Sequence, residues 1–180
     1  MTSTTLMTLP RELRDLIYTE TFRITEPEDL VEPHLRFEGR TRSFPRLPSL
    51  CLTSKQIYFE AIPRLLAVAT IHFPKPSSWR CAELWLDTFS EQEAWHAIRT
   101  LCMGKLSDYL PDSTVEFVRR CVNLKELRFH YDQRNTETGM QLIDKVQGTF
   151  SSVPSVKMYI LRSCIYENDS ETNVIELRLA

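Results

Sequence analysis

The sequence predicts an α+β fold in which an N-terminal helical module packs on a small strand–helix sheet that ends in a hairpin. Two stretches within residues 6–73 carry apolar side chains at the 3.6-residue spacing of amphipathic helices. Beyond residue 98, short apolar segments recur at intervals that suit strands separated by helices. We therefore divide the chain into a helical module, residues 6–73, and a strand–helix region, residues 74–180, and expect the two to form one compact unit.

The first predicted helix starts at Pro10, which suits a first helical turn because its missing N–H is not needed there. Glu12 places a negative charge near the positive end of the helix dipole. Apolar side chains then recur at helical spacing on one stripe: Leu9, Leu13, Leu16 and Ile17. Such a stripe belongs either to the core, which is the commoner case, or to a surface that docks another protein.

The second predicted helix follows Ser49, a residue type that commonly caps a helix N-terminus. One face of this helix carries Leu50, Ser54, Ile57 and Ala61. Pro63 removes a helical hydrogen bond, so we expect the helix to kink or end there and to restart as a short turn over 63–67. Residues 70–73 are rich in strand-forming side chains and predict a strand.

A polar insert, residues 24–48, separates the two predicted helices. The first half of the insert is acidic and the second half is basic. Four arginines lie in the basic half: Arg36, Arg40, Arg42 and Arg46. The charge pattern predicts an ordered or semi-ordered loop. A solvated basic loop is the commoner outcome for such a cluster, and binding of nucleic acid is the less common one.

A second organisation follows, in which apolar residues at positions one, four and six recur in four segments. These segments begin at Ile98, Leu124, Val156 and Val174. The first two intervals resemble leucine-rich-repeat spacing, although the asparagine of a standard repeat is missing and an ordinary α/β protein can show the same pattern. The segments predict parallel strands at 98–103, 124–131 and 156–166. A last strand at 172–179 is predicted to return antiparallel and to close the sheet as a hairpin.

Helices are predicted between these strands. Ser113 and Glu116 form a capping-box pair, which predicts a helix over 113–121. A second run of apolar residues at helical spacing predicts a helix over 136–150.

Three tryptophans lie in the connecting segment: Trp79, Trp85 and Trp95. We expect one helical turn at about 81–88 and another at about 91–97, the second capped by Ser90 with Glu93 in the capping-box position. The tryptophans could form a binding patch, but side chains of this size more often fill the interface between substructures. The second interpretation is favoured.

Composition excludes several classes of function. A net charge of −2 argues against a general binder of nucleic acid or of anionic membranes. With four glycines in the chain, no Gly-rich loop could hold a phosphate group. No apolar run has the length of a membrane span, and the first five residues lack the features of a secretion signal. We expect a cytoplasmic or nuclear protein that needs no cofactor.

The cysteines lie far apart in the sequence: Cys51, Cys81, Cys102, Cys121 and Cys164. None of them has zinc-ligand spacing with another cysteine or a histidine, so we expect reduced, mostly buried thiols and no metal site. The sequence patterns of common hydrolases and phosphate-binding enzymes are also absent. The sequence therefore predicts no catalytic residue, and a binding protein rather than an enzyme.

Two segments of the helical module occur in an order that is typical of a known protein family. Residues 9–18 read Leu-Pro-Arg-Glu-Leu-Arg-Asp-Leu-Ile-Tyr, and residues 50–61 read Leu-Cys-Leu-Thr-Ser-Lys-Gln-Ile-Tyr-Phe-Glu-Ala. Together with the predicted strand at 70–73 they resemble the two halves of the F-box-type module of fungal F-box-like proteins. The resemblance covers residues 6–73. The long insert and the short total length depart from the family, which often has a short connection and a much longer chain.

An F-box is a docking surface without catalytic chemistry. The resemblance implies a substrate-receptor subunit of a cullin-type ubiquitin ligase, whose helices bind a Skp-family adaptor and whose strand–helix region binds an unidentified target protein. The adaptor-binding residues that it implies are Leu9, Pro10, Leu13, Ile17, Leu50 and Ile57. The alternative is a stand-alone intracellular binding or effector-like protein that keeps these helices as core. Exposure of the first-helix stripe favours docking, and its burial favours the alternative.

Overall fold

The computed structural model of the protein describes residues 5–24, 34–36, 47–73, 78–105, 112–132, 148, 156–163 and 172–177. The helices are α1 (Arg11–Ile24), α2 (Lys55–Val68), α3 (Ser78–Leu86), α4 (Glu93–Ala97) and α5 (Asp112–Arg120). The strands are β1 (His34–Arg36), β2 (Thr70–Phe73), β3 (Thr100–Lys105), β4 (Glu126–Asp132), β5 (Lys157–Ser163) and β6 (Thr172–Leu177). Across these ranges, every helix is too short or too polar to span a lipid bilayer.

The described strands form one sheet in which spatial order follows sequence order. β1 to β5 are parallel neighbours, and β6 pairs antiparallel with β5. This arrangement confirms the predicted α+β class, the three predicted parallel strands and the closing hairpin. Because β2 belongs to residues 6–73 and pairs with β3 from residues 74–180, the two segments share a single sheet.

One strand was not predicted. β1 lies inside the polar insert and extends the sheet beyond β2, with Leu35 opposite Ile71. Three residues are too few to show a strand periodicity in the sequence. The arginines at positions 40, 42 and 46 fall outside the described residues, as do most residues of the predicted 136–150 helix.

The helices pack on the sheet through alternate strand residues. Buried side chains in register form two rows across the strands, one through Ile71, Leu101, Leu127 and Met158 and one through Phe73, Met103 and Phe129. These side chains share one hydrophobic core with residues of the helices. Side chains on a strand alternate between faces, so a period of two places both rows on the side that the helices cover.

The centre of the core is aromatic. Phe73 stacks on Trp79 of α3 with ring centroids 5.1 Å apart and meets Phe117 of α5 edge-on at 5.2 Å. Phe117 also contacts Trp95 of α4 at 4.8 Å. We call these four residues the aromatic cluster. The two Phe73 pairs have the stacked or edge-on geometry that aromatic rings favour, and the Trp95–Phe117 pair is tilted. The cluster therefore joins three helices to the sheet.

The start of α2 differs from the prediction. Ser49 begins a short 3₁₀ turn, Ser49–Leu52, and its side chain caps no helix. Ser54 is the N-cap instead, because its hydroxyl accepts a hydrogen bond from the Ile57 backbone N–H at 3.2 Å. The predicted cap was therefore wrong by five residues, since both serines precede apolar residues at helical spacing and sequence alone does not separate them.

Two alternatives were predicted for Pro63, a kink and an end of the helix, and the second is wrong, because α2 runs through Pro63 to Val68. Proline cannot donate a hydrogen bond to the carbonyl four residues earlier, which normally breaks a helix. Here Pro63 is buried between Ile62 and Leu65, which are buried as well. Apolar packing on both sides of the proline offsets the missing bond and keeps the helix continuous.

The Trp79–Ala97 region also departs from expectation at one point. The predicted helical turns exist, as α3 and α4, but Ser90 does not cap α4. Ser90 instead opens a 3₁₀ turn, and Gln92 precedes α4 in a left-handed conformation with φ of 57°. Glu91 has φ of 52°, so two successive residues without glycine's freedom adopt positive φ.

Candidate docking surface

α1 presents two unlike faces. Tyr18 and Phe22 are buried in the core, together with Arg14. On the opposite side, Leu13, Leu16 and Ile17 are 47%, 60% and 40% exposed. These three residues, spaced by three and four positions, are neighbours on the helix surface, and we call them the α1 apolar patch. Three of the four residues of the predicted apolar stripe therefore lie on the protein surface, and Leu9 is half-buried.

The surroundings of the patch contain the other first-helix residues that the sequence singled out. Pro10 is exposed immediately before the helix, and Leu9 is half-buried. Glu12 and Glu20 are exposed on the same helix, and Glu20 pairs with Arg23 at 2.8 Å. Leu16 belonged to the predicted stripe but not to the predicted adaptor-binding set. The structure adds it, and its position three residues after Leu13 was the signal.

The second predicted segment contributes less to this surface. Leu50 is half-buried and packs against the hydrophobic core. Ile57 is 8% exposed and belongs to that core. The structure therefore brings Leu9, Pro10, Leu13 and Ile17 together at the surface and separates Ile57 from them.

A buried ionic cluster joins α1 to α2 beneath the patch. Glu60 of α2 accepts two hydrogen bonds from Arg14, from Nε to Oε2 at 2.8 Å and from Nη2 to Oε1 at 2.7 Å. The Tyr18 hydroxyl donates to Oε2 at 3.1 Å, and the Gln56 amide donates to Oε1 at 3.0 Å. We call these four residues the Glu60 cluster. A paired guanidinium and carboxylate of this geometry is among the strongest polar contacts in proteins.

The Glu60 cluster shifts the pKa values of its members. Hydrogen bonding from Arg14 lowers the pKa of Glu60 to about 2, and the bonds from Gln56 and Tyr18 act in the same direction. The same bond raises the pKa of Arg14. Burial, with the bond to Glu60, raises the pKa of Tyr18. Glu60 and Arg14 are therefore charged, and Tyr18 is neutral, at neutral pH.

A second, more exposed row of charges lies beside the cluster. Asp15 accepts a hydrogen bond from Arg64 at 2.6 Å and from Arg11 at 3.0 Å. Arg11 also lies 3.5 Å from Glu93 of α4. Exposed pairs of this kind contribute little each, so they fix orientation more than they stabilise the fold.

The tryptophans fill the interior, as expected. Trp79, Trp85 and Trp95 are buried. The indole N–H of Trp85 donates to the Tyr58 hydroxyl at 2.6 Å, and that of Trp95 donates to Asp87 at 2.9 Å. All three rings are buried, so these side chains form no exposed binding patch.

The described cysteines are free thiols, and three of them are buried. Burial raises the pKa of Cys51 and of Cys102 to about 11 and raises that of Cys121 as well. Nucleophilic cysteines require the opposite shift, so these three have the character of core residues. Within the part of the chain that the structure describes, histidine, cysteine and acidic side chains form no group that could hold a metal ion.

An open cleft of about 340 Å³ lies between α2 and α4. Its charged lining is of both signs, with Arg64 and Arg99 opposing Glu91 and Glu93. Arg64 is engaged by Asp15, and Arg99 donates to the carbonyls of His96 and Asn123. The cleft therefore has no marked preference for anions or cations.

Comparison of the chain with protein-family models, curated proteins and solved structures finds no match. The family resemblance of residues 6–73 thus stays a prediction from sequence.

Proposed function

We propose that this protein is a substrate-receptor subunit of a cullin-type ubiquitin ligase that binds a Skp-family adaptor through the α1 apolar patch. The observation that carries the proposal is the exposure of Leu13, Leu16 and Ile17 on a helix whose opposite face is fully packed. A contiguous exposed apolar patch on a folded protein is typical of an interaction site.

The energetics support docking. Full burial of such a side chain contributes on the order of 1.5–3 kcal/mol, and docking would recover the share that is still exposed, about 0.6–1.8 kcal/mol for each of the three before the costs of association. α1 also presents the three side chains at fixed spacing, because Arg14, Tyr18 and Phe22 on its other face are held in the protein interior. A rigid surface loses little entropy on binding. Pro10 and half-buried Leu9 extend the proposed surface toward the start of α1.

The proposal leaves a separate surface for the target. In it, the strand–helix region binds a target protein whose identity the sequence does not give, and the complex works in the cytoplasm or nucleus. No catalytic residue, cofactor or metal takes part. In the alternative, a stand-alone binding protein, the strand–helix region also binds a target protein but the α1 apolar patch binds no adaptor. Measuring adaptor binding therefore separates the two functions.

The experiment measures binding of the purified full chain to a fungal Skp-family adaptor. We expect the wild type to bind and Leu16→Asp to bind at least tenfold more weakly, because a carboxylate would be buried in an apolar interface. Leu84→Asp is the matched control: Leu84 is 58% exposed, close to Leu16, but lies on α3.

Two results would refute the proposal. One is a wild-type chain that fails to bind the adaptor, which would favour the stand-alone alternative. The other is binding that Leu16→Asp and Leu84→Asp weaken equally, which would place the contact elsewhere. Circular dichroism of each variant establishes that the substitutions leave the fold intact.

A further inference from the structure

α1 is attached to the rest of the protein differently from α2. α2 contributes six buried side chains besides Glu60 to the interior. Among its side chains that the structure describes, α1 contributes two buried apolar ones, Tyr18 and Phe22, and its extensive packing is against α2. Its polar attachment includes the Asp15–Arg64 and Arg11–Glu93 pairs, and the buried part of that attachment converges on one carboxylate, that of Glu60. The helix that carries the proposed docking surface is thus held by two buried aromatic side chains and by a buried polar cluster centred on Glu60.

The carboxylate of Glu60 is fully used. Each of its oxygens accepts two hydrogen bonds, Oε2 from Arg14 and Tyr18 and Oε1 from Arg14 and Gln56. Arg14 and Tyr18 lie one turn apart on α1, so the carboxylate spans a full turn of that helix. Replacing it by an amide would lose the charge and place an N–H group against the Arg14 guanidinium.

Arg14 transmits this contact to the start of the helix. Its Nη1 donates to the carbonyl of Leu9 at 2.6 Å, so one guanidinium joins Glu60 to the residue before Pro10. Arg14 is buried, and without Glu60 its charge would lose its main counterion. An unpaired buried charge is costly, and movement of the helix toward solvent would relieve that cost.

We propose that Glu60 is a positioning residue that latches α1 onto α2, so that without it α1 opens as a unit while α2 to α5 and the sheet stay folded. Local opening of this kind involves elements with few buried apolar contacts, which describes α1. The inference rests on the proposed function and extends it, since the form in which α1 is packed on α2, which we call seated, would be the form that binds the adaptor. Apparent affinity would then fall with the fraction of molecules whose α1 is seated.

The test is hydrogen exchange of the full chain, read peptide by peptide, for the wild type, Glu60→Gln and Glu20→Gln. Glu20 is the matched control because it also pairs with an arginine but is exposed on α1. We expect amides of residues 11–24 to exchange at least tenfold faster in Glu60→Gln. Amides of β3 and β4 should change less than twofold, and Glu20→Gln should match the wild type throughout.

Two outcomes would overturn the latch. If residues 11–24 exchange at the wild-type rate, Glu60 does not hold α1. If β3 and β4 accelerate as much as α1, the Glu60 cluster stabilises the whole fold and no separate unit opens. Should Glu60→Gln not fold, Tyr18→Phe is the variant to examine, because it removes one donor to the same carboxylate. It is expected to speed α1 exchange by about 2- to 10-fold, again without effect on β3 and β4.

Adaptor binding by the same variants separates this inference from the proposed function. We expect Glu60→Gln to bind more weakly than Glu20→Gln. A wild-type chain that does not bind the adaptor removes the proposed function but leaves the exchange result standing. Fast α1 exchange with unchanged adaptor affinity would instead show that the adaptor does not require the seated helix, and would overturn the link between latch and docking.

Discussion

α1 and α5 are both short amphipathic helices, yet they place their apolar residues in opposite ways. α5 directs Phe117 and Val118 into the core, where Phe117 meets the aromatic cluster. α1 directs Leu13, Leu16 and Ile17 outward and buries Arg14 with Tyr18. The difference teaches that an apolar stripe does not by itself say which face is internal. In α1 the buried face carries Arg14, Tyr18 and Phe22, and the partner of Arg14 is Glu60 of α2, which lies far away in the sequence.

The largest effect is expected in the aromatic cluster. Trp95→Ala should lower the free energy of unfolding by about 3–5 kcal/mol, because it empties a large buried site. Trp95 is fully buried, contacts Phe117 and lies under the Arg120 guanidinium at 3.7 Å. Urea unfolding measures the loss. A loss below about 1 kcal/mol would mean that the core does not depend on this side chain.

The pH dependence of stability tests the other region, the Glu60 cluster. The pKa of Glu60 is about 2 in the folded protein against an ordinary value of 4.5. Because the folded-state pKa is lowered, the stabilisation is present above pH 4.5 and is lost as the pH falls toward 2. The wild type should therefore exceed Glu60→Gln in stability at pH 6, and the gap should narrow between pH 4.5 and 2.

Urea midpoints for both proteins at several pH values in this window measure that gap. The pKa of Asp87 is also lowered, chiefly by its hydrogen bond from Arg120, but Asp87 is present in both proteins and cancels in the difference. A gap that stays constant from pH 6 to 2 would contradict the assigned ionisation of Glu60.

A smaller effect is expected where α2 meets α3. Tyr58→Phe removes the acceptor of the Trp85 indole N–H, which is bonded at 2.6 Å. A buried donor left without a partner costs about 1–3 kcal/mol. Thr53→Ala is the control, since its hydroxyl bonds the Leu50 carbonyl at an exposed site. Denaturant unfolding should show a larger loss of unfolding free energy for Tyr58→Phe than for Thr53→Ala. Equal losses would show that the Trp85 hydrogen bond stabilises the protein no more than an exposed hydrogen bond does.

The smallest effect is expected on the α1 apolar patch. Leu16→Ala should change the free energy of unfolding by less than about 0.5 kcal/mol, because the side chain is already in solvent. The same measurement on Leu65→Ala, a buried leucine of α2, should give a loss of about 2–5 kcal/mol. Similar losses of unfolding free energy for the two variants would contradict the assignment of Leu16 to the surface and of Leu65 to the core.

The strand–helix region was predictable because its signals are local. The strands predicted at 98–103 and 124–131 match β3 and β4 to within two residues. Apolar residues such as Leu101 and Leu127 do lie opposite one another in the sheet. The helix that the Ser113–Glu116 pair predicted is present as α5, although it begins at Asp112, so Ser113 lies inside the helix and is not its N-cap. Periodicity is a property of a few neighbouring residues and a sequence displays it directly, whereas the caps predicted at Ser49 and Ser90 were wrong.

The helical module was less predictable because its decisive contacts are distant in sequence. The pairing of Arg14 with Glu60 spans 46 positions, and Arg14 lies on the buried face of α1 with Tyr18 and Phe22. Pro63 stays inside α2 because of tertiary packing that no local rule contains. Of the predicted docking residues, Leu13 and Ile17 are at the surface and Ile57 is in the core. The spacing located the candidate surface, but only the tertiary structure told its outer face from its inner one.

The short strand β1 has a consequence for engineering. It comes from the insert between the two helices and covers the outer hydrogen-bonding groups of β2. Shortening the insert to tighten the helical pair would strip that cover and leave β2 as an open edge. Uncovered strands of this kind recruit other chains and favour aggregation. The insert, which in the sequence only separates two helices, thus protects the edge of the sheet from pairing with other chains.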